Sequence, residues 1–382
     1  MFLFETGYYK ANRIGMMLCG TWPEQSFTTK LTIRILHTGP IILLLIAEFF
    51  YFYGIRGDFR EVIPCLPSPM TIFVAFIKFN LLASNKKMVK DIIDKMRNDW
   101  EYLEKTSTNK IMHINAAKGR QRILTYMYYL MISASMYIGC SFIPKALDII
   151  IPLNETRKNI APFETDYKVD LDDYFYLIVL HGLVTCTTTV TFLWVTDAFI
   201  MVMVQHCCGL FGTIGHVLKQ LNEKISEKDE KNIINYAILM HKRAITFADF
   251  IESTVTVMYG FVVLINMIAI SVTGVETIFR WDNRDVRLKF VAYTIAEIVH
   301  LFFNTLPSQQ LIDDSGKVFD SIYECDWSSL SIKSQKLIWL MLVRSTRPCY
   351  LTAGKFYELN MENFSQVVRT AVSYLTVLTS FK

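Results

Sequence analysis

The sequence is short of charge. Of its 382 residues only 19% are Asp, Glu, Lys or Arg, against 52% hydrophobic and 14% aromatic. So few charges cannot cover the surface of an ordinary soluble protein of this length, which places the chain in a lipid bilayer. Net charge is also small: 39 basic and 35 acidic residues leave +4, and the basic residues lie in loops, so nothing argues for nucleic acid. The eight cysteines, Cys19, Cys65, Cys140, Cys186, Cys207, Cys208, Cys325 and Cys349, lack both the paired spacing of a zinc site and the density of a disulfide scaffold. Most read as small apolar core residues, and the adjacent Cys207 and Cys208 leave palmitoylation open as a second reading. There is no nucleophile elbow, no metal-spaced His, Cys or Glu cluster and no phosphate-cradling glycine loop. Neither an enzyme nor a cofactor or metal site is therefore expected. No internal repeat is visible, which disfavours an inverted-repeat transporter. The first strongly apolar stretch begins only near Leu31 and no small-residue cleavage site follows it, so a secretory signal peptide is not expected.

What is present is a series of long apolar runs. A spanning helix needs about 20 mostly apolar residues, because hydrocarbon offers the backbone no partner. Residues 31–53, 62–83, 122–144, 174–204, 254–275 and 287–308 meet this, and 366–381 gives a shorter seventh run whose one charge, Arg369, is near its start. The expected fold is all-α, with seven transmembrane helices. Loops rich in Lys and Arg stay cytoplasmic. The connection between runs two and three holds Lys86, Lys87, Lys90, Lys95, Arg97, Lys105, Lys110, Lys118 and Arg120, and that between four and five holds Lys219, Lys224, Lys228, Lys231, Lys242 and Arg243. The alternate connections carry fewer. The amino terminus is therefore expected in the cytoplasm and the carboxyl terminus outside, the reverse of a G-protein-coupled receptor. The acidic-Arg-aromatic triplet and Asn-Pro-x-x-Tyr motif of such receptors are missing as well. Asn154-Glu155-Thr156 is a glycosylation sequon on the outer side of this topology, and Asn363-Phe364-Ser365 falls inside.

Helical spacing of apolar residues continues past the runs, at Val217, Leu218, Leu221 and Ile225 and at Ile233, Ile234, Ala237 and Ile238. Runs four and five are expected to extend as helices into the cytoplasm. Apolar patches between Leu311 and Tyr350, bounded by Pro348 and Gly354, predict further packed cytoplasmic helices and a break before the last run. Ionisable residues inside the runs are costly. Glu48 falls in the outer half of the first and Lys78 in the inner half of the second, so they are not expected to pair, and Lys78 is expected to snorkel inward. Asp197, near the inner end of a long helix, is expected to lie close to water. Glu297 and His300, one turn apart, suggest a polar lock between helices or a ligand site.

The run from Asp320 to Trp327, then Arg344-Ser345-Thr346-Arg347-Pro348, Leu351-Thr352-Ala353-Gly354-Lys355-Phe356 and Ser373-Tyr374-Leu375-Thr376-Val377-Leu378 resemble, in order, the carboxyl-terminal signature of insect odorant receptors. The tail is also similar to that of the gustatory family, whose Gln is replaced here by Ser380, and to that of the obligate co-receptor, which is longer between spans four and five. The resemblance is therefore to a ligand-tuning subunit. It implies an odorant-gated, non-selective cation channel formed with the co-receptor as a hetero-tetramer in the plasma membrane of an olfactory dendrite. Residues 1–310 would form the transmembrane ligand-binding bundle. Residues 311–382 would form cytoplasmic anchor helices and the pore-lining last span.

On this likeness Val377 and Phe381 match an apolar gate and Ser380 a polar pore-facing position, and by spacing Ser373 shares their helical face. A ring of apolar side chains dewets a narrow pore, although an apolar helix end can equally face lipid. The family's small volatile apolar ligand binds among spans two to six in the outer half of the membrane. Those depths hold Met70, Phe73, Val74 and Ile77 on the second span and Ser133, Met136, Tyr137 and Cys140 on the third. Tyr176, Leu180, His181 and Val184 on the fourth and Leu264 and Ile268 on the fifth complete the set. Such residues suit an apolar guest, with Tyr137 and His181 able to offer it a hydrogen bond. Each of them could instead be packing.

Overall fold

A computed structural model describes residues 3–55, 59–152, 155–221, 225–279 and 284–380. Helices dominate them: α1 (Lys10–Leu18), α2 (Phe27–Gly54), α3 (Phe59–Val62), α4 (Pro67–Ser84), α5 (Lys86–Leu103), α6 (Asn109–Gly139), α7 (Ile143–Ile150), α8 (Phe175–Leu218), α9 (Glu227–Phe279), α10 (Arg284–Glu324), α11 (Ile332–Ser345) and α12 (Met361–Ser380). Among the described residues six helical segments are long and apolar enough to cross a membrane: α2, α4 with the 3-10 turn before it, α6 running on through α7, α8, α9 and α10. They fall on the six longest apolar runs of the sequence, and the chain is a multi-pass helical membrane protein. The seventh run forms α12, which begins earlier than expected, at Met361.

Several helices outrun the bilayer. The 44 residues of α8 rise about 66 Å at 1.5 Å per residue, roughly twice the hydrocarbon thickness. The excess of α8 and α9 packs helix on helix beyond the apolar runs. Phe192 to Phe211 of α8 are buried on every face, with α4, α6, α9 and α10 around them. At the same end α5 holds the amino-terminal segment, where Trp100 Nε1 donates to the Tyr9 hydroxyl at 3.2 Å. There too α11 is pinned to the start of α9, the Ser331 backbone N and Oγ both donating to Glu230 Oε1 at 3.2 and 2.8 Å.

That burial overturns two expectations. Lys78 does not snorkel: its side chain is 0% exposed and its Nζ donates to Asp197 Oδ1 at 2.6 Å. Asp197 does not lie near water; it is 7% exposed. The reason is that the carboxyl-terminal half of α8 is the centre of a protein layer and not a helix end in solvent. Lys78 Nζ also donates to His300 Nε2 at 2.9 Å and Asn304 Oδ1 at 2.7 Å, while Tyr126 gives its hydroxyl proton to Asp197 Oδ2 at 2.9 Å. An ammonium has three protons and no acceptor, so these partners satisfy it, and one ion pair ties α4, α6, α8 and α10 together. Asn266 Nδ2 on α9 lies 3.2 Å from His300 Nδ1.

Candidate functional site

At the end of the bundle where α2 finishes and α4 starts, a cavity of about 20 Å³ is enclosed, room for one water-sized guest. Its wall is mixed. Tyr137 of α6, Phe290 and Tyr293 of α10 and Phe163 of the α7–α8 connection bring aromatic rings, Tyr137 lying 5.6 Å from Phe163 and 5.9 Å from Tyr293 between centroids. Glu48 of α2, Ser68 of α4, Glu164 and Lys289 bring polar groups. Lys289 Nζ reaches Glu164 Oε1 at 3.4 Å. A smaller apolar cluster built on Leu44, Ile72, Ile138, Phe163, Phe175 and Val179 lies at this end, separate from the main core.

The α7–α8 connection closes the cavity because it is pinned on both sides. Asp166 donates its backbone N–H to Ala47 O at 3.0 Å. The Lys168 side chain and backbone N–H, both hydrogen-bonded to Asp166, hold its carboxyl below the usual carboxylate range. On the other side His181 of α8 takes the Tyr167 hydroxyl proton on Nδ1 at 2.7 Å and gives its Nε2 proton to Pro40 O at 3.1 Å. Both ring nitrogens are thus committed, so His181 acts as a staple for the connection and has no free hydrogen bond for a guest.

The other sequence-predicted ligand residues divide by helix face. Tyr137 alone of the fourteen is on the cavity wall. Val74 is buried against Asn266, Glu297 and His300 in a sealed crevice. Met70, Ile77, Ser133 and Cys140 are half-buried. Phe73, Met136, Tyr176, Leu180, Val184, Leu264 and Ile268 are exposed and lie off the cavity wall. A span that is apolar all round does not mark which stripe meets protein and which meets lipid.

From the cavity a line of polar contacts leads into the bundle. Tyr293 donates to Pro67 O at 2.7 Å and touches the Thr71 hydroxyl, which donates to Glu297 Oε1 at 3.0 Å. One turn on, His300 belongs to the Lys78 cluster. Glu297 and His300 therefore both engage α4, through Thr71 and Lys78, and not each other, while His300 also meets Asn266 of α9. Sequence reasoning missed Glu48, Ser68, Phe163, Lys289, Phe290 and Tyr293 as cavity residues; of these only Glu48, an acid inside an apolar run, left a signal.

The second candidate element is α12. Before it, β1 (Thr352–Ala353) pairs antiparallel with β2 (Tyr357–Glu358), turning through Gly354 and Lys355 at φ 66°. Glycine bears that conformation without strain. The hairpin docks on α9: Thr352 N and Oγ1 donate to the Glu252 carboxylate at 2.8 and 2.5 Å, and Gly354 N donates to Thr256 O at 2.8 Å. A Cβ at Gly260 would stand 3.2 Å from the Gly354 nitrogen, so the approach needs that glycine. Gln309 Oε1 then accepts from Met361 N at 3.0 Å and Asn360 Oδ1 from Asn363 N at 2.7 Å, capping α12. The Asn363 amide is itself used, donating to Glu358 O at 2.8 Å. Val367 and Ala371 are buried while Ser373 is exposed on another face. The side chains of Val377 and Ser380, and the whole of Phe381, lie outside the described residues, as does Asn154.

A profile of the family described as 7tm Odorant receptor matches residues 58–372. Odorant receptor 9a of Drosophila melanogaster is 23% identical over 222 residues, 58% of this chain and only 56% of that protein. Odorant receptor 13a of the same species is 21% identical over 325 residues, 80% and 76% respectively. The odorant receptor coreceptor of Aedes aegypti is 20% identical over 156 residues, 40% of this chain and 32% of its own. Among solved structures, the olfactory receptor OR5 from Machilis hrabei in complex with eugenol superposes over 98% of this chain and 97% of its own with a TM-score of 0.75, at 12% identity. The architecture is thus shared where the sequence has drifted.

Proposed function

Since the chain belongs to the 7tm odorant receptor family, we propose that it is the ligand-tuning subunit of an odorant-gated, non-selective cation channel assembled with a co-receptor. The observation that carries the reading is the enclosed aromatic cavity at one end of the bundle, closed by a stapled connection. With the cytoplasm assigned by the Lys and Arg asymmetry, that end is extracellular, where a volatile ligand arrives. A neighbour of the same fold in complex with eugenol supports a small-molecule ligand. About 20 Å³ is too little for an odorant, so ligand entry widens the cavity, and a ligand biases channel opening by as much as it binds the widened, open state more tightly than the closed one. Partnership is supported at the other end. Trp339, Leu340 and Val343 of α11 are exposed, an apolar face that suits contact with neighbouring subunits in a hetero-tetramer. In this reading α12 lines the pore, with Val377 and Phe381 as gate and Ser373 and Ser380 as polar pore positions. The channel sits in the plasma membrane of an olfactory neuron dendrite.

Expression in cells without other family members tests this. The chain with a co-receptor should give odorant-evoked cation current, the chain alone little or none, and an amino-terminal tag should stain only after permeabilisation. A robust current from the lone chain would overturn the tuning-subunit reading, and surface staining of intact cells the orientation.

A further inference from the structure

Glu48 is the carboxyl on the cavity wall that forms no ion pair among the described residues. Its side chain is 7% exposed, it lines the cavity, and both of its oxygens are buried, with the Ser68 hydroxyl as the hydrogen-bonding side chain beside them. The Ser68 hydroxyl has one proton to give, so at least one of the two carboxylate oxygens is left without a hydrogen bond. Folded proteins satisfy nearly all such groups, and each exception calls for a reason. The wall's other carboxyl, Glu164, faces Lys289 at 3.4 Å, so the cation there is already matched. What remains is an acceptor in an aromatic setting, where a donor counts for more than it would in water.

We propose that Glu48 is the polar anchor of the ligand, so that the cavity selects small amphiphiles whose polar end donates a hydrogen bond, an alcohol or an amine, over the same skeleton ended by an acceptor alone. This rests on the cavity being the ligand site. The preference holds whether or not water meets the carboxyl first. Replacing an ordered water with a group that cannot reproduce its hydrogen bonds loses affinity, and a methyl ether or a ketone has no proton to give. Tyr137, Phe163, Phe290 and Tyr293 hold the apolar body of the ligand and Ser68 lies beside its polar end. Alcohol and amine share the donor, and the amine adds a charge opposite to the carboxylate.

The test is a matched series, one carbon skeleton carried as primary alcohol, primary amine and methyl ether, applied to the full chain with its co-receptor, wild type and Glu48→Met. Methionine keeps the length and removes the acceptor. The donors should act on the wild type at about one-tenth or less of the ether's half-maximal concentration, the scale of a hydrogen bond to a charged group. Glu48→Met should erase that ratio by weakening the donors and not the ether. Equal potency of donors and ether on the wild type, agonism confined to compounds lacking a donor, or an equal shift of all three by Glu48→Met overturns the proposal. A second readout does not depend on agonism: without ligand, purified Glu48→Met complex should melt at a higher temperature than wild type, because an unmet buried acceptor has been removed. A lower melting temperature would make Glu48 a structural group and also overturn it. Tyr137→Ala separates the two levels of inference. If it shifts ligand ranking and Glu48→Met does not, the anchor alone fails; if it leaves every ligand unchanged, the cavity is not the ligand site.

Discussion

Lys78 is held by three side chains drawn from two other helices, Asp197 of α8 and His300 and Asn304 of α10, and the energetics of such a group are lopsided. Keeping the whole cluster gains little over a well-packed apolar core, because desolvating Lys78 and Asp197 offsets most of their attraction. Removing one member leaves the other charge buried and unmatched. Lys78→Met should therefore cost about 3–5 kcal/mol, seen as a lower melting temperature and little protein at the cell surface. Lys78→Met combined with Asp197→Leu should recover a large part of that loss, and a double variant no better than the single would mean that the pair is not coupled. At this scale the sequence is least legible. Lys78 and Asp197 are 119 positions apart and Lys78 and His300 are 222 apart, and neither spacing carries a periodic signal. Each looked like an isolated charge near a helix end, for which snorkelling is the ordinary answer. Glu48 was visible as an acid among aliphatics, but the cavity around it is made by α4, α6, α10 and the α7–α8 connection, which only packing brings together.

Helices are the most legible elements, because a run long enough to span is written in composition alone. Their lengths were partly so: the 3.6-residue spacing past runs four and five corresponds to α8 reaching Leu218 and α9 starting at Glu227. Their faces were not, since lipid and protein reward the same apolar residues, and Leu180 and Leu264 turned outward as readily as Val74 turned in. The tail motif became physical only in three dimensions. Thr352-Ala353-Gly354-Lys355 is a hairpin that uses Glu252, Thr256 and Gly260 of α9 as its dock. The dock fixes the chain immediately before α12. Glu252→Ala would leave two Thr352 donors without their acceptor, at a cost of about 1–3 kcal/mol. The expected result is reduced odorant current at matched surface level, together with a lower melting temperature. Glu252→Gln, which retains one acceptor oxygen, should fall between. Unchanged current and melting in Glu252→Ala would show that the hairpin does not position the last helix.

Across the whole molecule the cavity and the last helix are different devices joined through α10. Its Tyr293 is on the cavity wall, its His300 and Asn304 hold Lys78, and its Ser308 and Gln309 accept from Leu351 N and Met361 N on either side of the hairpin. A ligand that opens the channel does so only by binding the open state more tightly than the closed one. Changes at the cavity should then alter sensitivity and ligand ranking while the permeation path is untouched, and changes at the gate should do the reverse. Tyr137→Ala should move half-maximal concentrations without altering ion selectivity. His181→Ala, which frees the connection from Tyr167 and Pro40, should weaken every ligand together, because it loosens the closure and removes no ligand contact. Val377→Ser should raise current in the absence of ligand or change permeation, since a polar ring removes the dewetting barrier of an apolar one. In the proposed mixed tetramer the co-receptor would contribute its own gate side chains, so a single substituted subunit would leave part of the apolar ring in place. The comparison is therefore made with the co-receptor gate altered to match. If Val377→Ser then changes ligand ranking while basal current and permeation stay as they were, α12 does not line the pore.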